Sequence, residues 1–191
     1  VEATVDRLNA DLLDIRQILN GANYNVVQQF DISSREFSEQ FSLLYETNSD
    51  KIQSVALYDQ KGNLIASEPV AAEKKNVRVQ TQEWFKNAED VIENIHFSTP
   101  HIQELFEDGS YRYQWVVSLS RYVDVNKGET PETGILLLDM KYSVIRDVMK
   151  QINDCSGGIY YYLISQDGEM IYHPRGTELN RGLFEENSLE A

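Results

Sequence analysis

One stretch of this chain is written twice. Displacing the sequence by 106 residues sets Leu57 on Leu163, Gln60 on Gln166, Gly62 on Gly168 and Ile65 on Ile171, with Leu64 over Met170. In both copies an extended apolar run enters a polar turn whose Gly supplies positive φ, and a second extended run leaves it. That pattern predicts a β-hairpin at 54–67 and another at 160–172. Each follows an amphipathic helix, marked by Phe37, Phe41, Leu44 and Tyr45 before the first and by Ile145, Val148, Met149 and Ile152 before the second. A recurring helix-plus-hairpin unit implies two similar modules in tandem.

The residues around these copies complete an α+β reading. Val5, Leu8, Leu12, Ile15, Leu19, Ala22 and Val26 step by three and four, predicting a long helix over 2–29 that serves either as a core helix or as a dimerising stalk. Ser33 and Glu36 have capping-box spacing ahead of the second helix. Trp84, Phe85, Ala88, Ile92 and Ile95 share one face of a helix near 82–94, and Tyr111, Tyr113, Trp115, Val117 and Leu119 alternate along a strand. The polar turn 124–131 reverses that strand into Gly134–Asp139, and a helix over 142–153 leads to the second hairpin. The expected fold is α+β: a long N-terminal helix followed by antiparallel-sheet modules. Its divisions are N-terminal helices at 1–50, a first module at 51–141, and a linking helix with the start of a second module at 142–191.

Charge and composition remove several functions. With 17 Lys and Arg against 31 Asp and Glu, the net charge is −14, which argues against a nucleic-acid surface. Cys155 is alone, so no internal disulfide or Cys-rich metal site is expected. No apolar run approaches the roughly 20 residues of a membrane helix. No dinucleotide, P-loop or nucleophile-elbow motif occurs, and His96 and His101 stand five apart, off the zinc-binding helical spacing. Neither catalysis nor a cofactor is expected of this stretch.

The element order, together with Glu83-Trp-Phe-Lys-Asn-Ala88, His96-Phe-Ser-Thr-Pro-His101, Val116-Val-Ser-Leu-Ser-Arg121 and Gly134-Ile-Leu-Leu-Leu-Asp139, resembles the double Cache domains. These are extracellular PAS-like sensors of bacterial histidine kinases and chemoreceptors. The short motifs look most like YesM-type sensor kinases of Gram-positive bacteria, over roughly residues 1–175. The resemblance implies a ligand pocket in a membrane-distal first module and a membrane-proximal second module. It also implies membrane helices outside this stretch, a homodimer in the full-length protein, and a cytoplasmic kinase signalling to a response regulator. The domain would then lie on the extracellular side of the cell membrane. A chemoreceptor, a cyclase, or a ligand-free dimerisation domain are the alternatives.

Amino-acid-binding relatives grip the ligand with a Tyr, an Arg two residues before a Trp-Tyr pair, a Tyr-x-Asp and a strand-end Asp. This sequence keeps Trp84 and Asp139 but has Phe85 for the second Tyr, Gln82 for the Arg, Val77 for the first Tyr, and His101 and Gln103 for Tyr and Asp. A carboxylate needs a charged or forked donor, which Gln82 does not supply. The expected ligand is therefore neutral and polar, a sugar or oligosaccharide for instance. It would be held by Trp84, Phe85, His101, Tyr113 and Asp139, with Arg121 at the mouth. Each residue also has a plain structural role open to it: Trp84 in the core, Asp139 capping the next helix, His101 facing solvent, Arg121 in an ion pair.

Overall fold

The structure, a computed structural model, describes residues 2–91, 94–107, 114–154, 157–165 and 168–176. Tyr113 and Cys155 lie outside the described residues. The chain divides into two compact units, Leu12–Lys141 and Val1–Asp11 with Tyr142–Ala191.

Helix α1 spans Glu2–Gly21, and the chain then winds as a π-helix over Ala22–Val27. The α-helix expected over 2–29 is thus corrected at its end. Asn23 and Asn25 are weak helix formers, and Asn23 is buried, with its Oδ1 accepting from Gln28 Nε2 while its carbonyl accepts Gln28 N–H five residues on. Ile15, Leu19, Ala22 and Val26 of the apolar seam are buried. Helix α2 covers Arg35–Asn48. Its cap is Ser34, whose Oγ accepts Phe37 N–H at 3.0 Å, not Ser33. Ser33 instead donates its hydroxyl and amide to Asp31, which leaves the neighbouring hydroxyl in the capping geometry.

The larger unit is built on an antiparallel sheet. Strands β1 (Ile52–Asp59) and β2 (Leu64–Glu68) form the first hairpin. Two two-residue strands, β3 (His96–Phe97) and β4 (His101–Ile102), precede the long pair β5 (Trp115–Val125) and β6 (Glu132–Lys141). The order is β2-β1-β6-β5-β3, with β4 also on β5, so the hairpin shares one sheet with the long strands, as expected. Alternation sorts the faces. Ala56, Tyr58, Ile135 and Leu137 pack with Val79, Trp84, Phe85, Ala88, Leu105 and Phe106 on one side. Trp84, Phe85 and Ala88 come from helix α3, which spans Glu83–Asp90 and ends short of the expected 94. Val55, Leu57, Leu119, Leu136 and Leu138 are buried on the other face, where α2 packs on β1 and the π-helix on β5.

In the smaller unit, α4 (Ser143–Asp154) buries Ile145, Val148, Met149 and Ile152, and β7 (Leu163–Ile164) pairs with β8 (Met170–Tyr172). Tyr142 donates its hydroxyl to Ile171 O at 2.9 Å, and Asn153 ties α4 to Tyr161 through both its amide atoms. This second hairpin repeats the first in hydrogen-bonding detail. Asp59 N–H meets Asn63 O and Gly62 N–H meets Asp59 O; at the displaced positions Ser165 N–H meets Glu169 O and Gly168 N–H meets Ser165 O. Tyr58 pairs with Leu64 as Ile164 pairs with Met170, Leu57 with Ala66 as Leu163 with Tyr172, and a register shift falls at the same step in both. Gly62 and Gly168 take φ of 78° and 84°, a conformation in which a Cβ would crowd the backbone. Among the described residues no helix is long and apolar enough to cross a membrane.

Candidate functional site

A cavity of about 250 Å³ opens beside the end of β6, lined by Gln82, Trp84, His101, Ile102, Gln103, Glu104, Leu105, Ser118 and Asp139. Three strands build its floor. Ser54 of β1 and Ser118 of β5 both lie directly across from Asp139 of β6, so the three side chains form one row on one face. Asp139 and its two serine neighbours are all buried. Ser118 Oγ sits 2.5 Å from Asp139 Oδ1, and Ser54 Oγ donates to Oδ2 at 3.0 Å. Both Asp139 oxygens are thus engaged by the serines, and Asp139 lies in the cavity lining.

The walls come from α3 and from the loop after β3. Ser120, fully buried on the same face as Ser118, donates its hydroxyl to Trp84 O at 2.7 Å and so docks the start of α3 on β5. Gln82 precedes that helix in extended conformation and caps none of its N–H groups, leaving its amide to line the cavity. Ser98 clamps the loop to β5: its amide donates to Ser118 O and its hydroxyl accepts Ser118 N–H. His101 Nδ1 lies 3.0 Å from Thr99 O, and Nε2 lies 3.3 Å from Ser118 Oγ. Gln103 accepts Leu105 N–H at its Oε1, while its buried Nε2 has no hydrogen-bond partner.

Burial pushes the Asp139 carboxyl up from the ordinary carboxylate range, opposed by Ser118, His101, Ser54 and Gln103. Burial, Glu73 and Asp139 likewise push the Tyr58 phenol up; it stays neutral and packs at 5.4 Å on Trp84. The row of Asp139, Ser118 and His101 is not a nucleophilic triad. In such a triad the imidazole lies between acid and hydroxyl, whereas here the hydroxyl lies in the middle, between the Asp139 carboxyl and His101 Nε2. Among the described residues no group of three or more metal-ligating side chains converges.

Of the residues singled out from the sequence, Trp84, His101 and Asp139 line this one cavity. Phe85 does not: one position on from Trp84 it turns about 100° around α3 and is buried in the core, edge-on to Trp84 at 5.7 Å. Arg121 is on the opposite face of β5, three residues from Ser118. There it donates to Asn20 Oδ1 and Tyr24 OH, each at 2.7 Å, with its guanidinium 5.2 Å from the Tyr24 ring. Among the described residues it makes no ion pair with a carboxylate. Ser54 and Ser118 were missed. Small hydroxyls facing Asp139 across an otherwise apolar pair of strands were the available signal.

A family model for the Cache domain matches residues 2–190. No curated protein sequence matches. Among solved structures, the ligand-binding domain of the Pseudomonas aeruginosa PAO1 amino-acid chemoreceptor PctB, in complex with L-Gln, is 18% identical with a TM-score of 0.62, covering 93% of this chain and 66% of that one. The corresponding domain of PctC from the same organism, in complex with GABA, is 16% identical with a TM-score of 0.67, covering 92% and 74%. That of Campylobacter jejuni Tlp3 with L-valine is 14% identical with a TM-score of 0.58, covering 100% and 77%. The chain thus spans from two thirds to about three quarters of these domains. With the family match running over nearly its whole length, this chain belongs to the Cache family of ligand-binding sensor domains.

Proposed function

We propose that this domain is the extracytoplasmic input of a membrane receptor and that it binds a small neutral polar ligand in the cavity beside Asp139. The observation that carries the reading is Gln103 Nε2, a buried donor in the wall that makes no hydrogen bond among the described residues. Such a group costs on the order of 1–3 kcal/mol unless something satisfies it, and a ligand hydroxyl or carbonyl oxygen would do so. Trp84 offers a ring to stack on, and Gln82, Ser118 and Asp139 offer further hydrogen bonds. A sugar fits that chemistry.

Among the described residues no Lys or Arg lines the cavity, so an α-carboxylate would meet no cation from them. Free amino acids are the second reading, because similarly folded domains have been solved with L-Gln, GABA and L-valine. Titration calorimetry against sugars, polyols, amides and amino acids separates them. The first reading expects saturable binding of an uncharged compound, weakened by on the order of 1–3 kcal/mol in Gln103→Ala. Tight binding of a free amino acid with no uncharged competitor overturns it.

The output is proposed in two forms. The YesM-like motifs favour a homodimeric histidine kinase that acts on a cytoplasmic response regulator. The similar chemoreceptor domains favour a chemoreceptor. The reading frame beyond residue 191 distinguishes a kinase core from a chemoreceptor signalling hairpin.

A further inference from the structure

The hydrogen bonds around Asp139 fix how many protons the site holds. His101 Nδ1 must donate, because it faces Thr99 O, which has no proton to give. Ser98, also near Nδ1, has already spent its own proton on Thr99 O at 2.9 Å. His101 Nε2 faces Ser118 Oγ, and Ser118 has one proton for two neighbours, Nε2 and Asp139 Oδ1. If Asp139 were ionised and His101 neutral, Ser118 could satisfy only one of them, and a lone pair would face a lone pair. One additional proton resolves the conflict, on Asp139 or on His101 Nε2, and only the first leaves no charge to bury beside the serines. Asp139 is buried, Ser54 donates to its other oxygen, and among the described residues no Lys or Arg lines the cavity to balance a negative charge.

We propose that Asp139 keeps its proton at neutral pH and donates it to Ser118 Oγ, while Ser118 donates to the Nε2 of a neutral His101. The file Asp139–Ser118–His101 then carries no charge. The upward push of burial on Asp139 agrees with this. The other titratable groups near it among the described residues are no source of positive charge: Asp139 acts on the Tyr58 phenol, Glu73 acts on that phenol too, and Glu104 lies exposed in the cavity lining. The inference deepens the proposed ligand reading, since an uncharged file suits an uncharged ligand and a cationic ligand would have to displace the proton. The proton count itself does not depend on any ligand.

The test is NMR on the ligand-free domain. The Asp139 ¹³Cγ and His101 ring ¹⁵N shifts are followed from pH 4 to 9 in the wild type and in Ser118→Ala. The proposal expects the protonated-acid ¹³Cγ shift at pH 7, together with a neutral, Nδ1-protonated imidazole. Ser118→Ala, which cuts the file, is expected to move the titration of Asp139. An ionised Asp139 at pH 7, with His101 in either state, overturns it, and so does an Asp139 titration unchanged by Ser118→Ala. Failure of every neutral ligand to bind, with these shifts as expected, counts against the ligand reading and leaves the proton file standing.

Discussion

Replacing Arg121 by Met tests which side of the sheet that residue serves. The substitution keeps an apolar stem and removes the guanidinium, which bonds Asn20 and Tyr24 at 2.7 Å each and lies 5.2 Å from the Tyr24 ring. The part-buried bond to Asn20 contributes about 2 kcal/mol, as a hydrogen bond from a charged donor. Tyr24 is half exposed, so its bond and the cation–π contact are screened and contribute about 0.5 kcal/mol each. Arg121 Nε is buried without a partner, which offsets about 1 kcal/mol of this. The net loss is about 2 kcal/mol, equivalent to a fall of about 4–8 °C in Tm for a chain of this size. Differential scanning calorimetry reads the fall, and the Trp84 indole resonance reads the cavity. The expected result is the lower Tm with the Trp84 resonance in place. A Tm within about 1 °C of wild type, or a displaced Trp84 resonance, would refute the placement of Arg121 away from the cavity.

Four other substitutions follow from the same geometry. Ser120→Ala removes the one donor from a fully buried hydroxyl to Trp84 O, and chemical denaturation should show a loss of about 1–2 kcal/mol. Gly62→Ala and Gly168→Ala both place a Cβ at positive φ, costing about 1–2 kcal/mol of backbone strain. Gly62→Ala should cost more, since its Cβ meets Gln80 at 3.0 Å while that of Gly168 meets nothing within 4 Å; equal losses would contradict this. Asp139→Asn should become the more stable form, relative to wild type, as pH rises. The carboxyl's folded-state proton affinity is raised, so its favourable contribution is complete below the ordinary value of 3.8 and is lost as pH climbs through the raised one. Thermal melts across pH 4–8 check the sign.

Much of the fold was legible because it rests on local pattern. The two hairpins follow from alternating runs around a glycine, and their match extends to individual hydrogen bonds. The ends of elements were less legible. Ser33 and Ser34 both suit a cap, and Asp31 decides between them by taking Ser33. The π-turn at Ala22–Val27 depends on buried Asn23, whose burial no periodicity shows. At the site, Asp139 stood out as a charge ending an apolar strand. Arg121 misled because charge was weighed ahead of alternation: from Ser118 an odd step of three carries it to the other face. Phe85 misled through its neighbour, since adjacent helix positions point apart.

The central claim, that the cavity beside Asp139 is where the ligand binds, is tested most directly by the Trp84 indole N–H resonance during a titration. Only Trp84 and Trp115 carry indoles, and Trp115, about half exposed on β5, serves as the internal reference. An uncharged ligand found by calorimetry should shift the Trp84 resonance saturably, with the same Kd. Binding seen by calorimetry with no movement of the Trp84 resonance would put the ligand elsewhere and contradict the account.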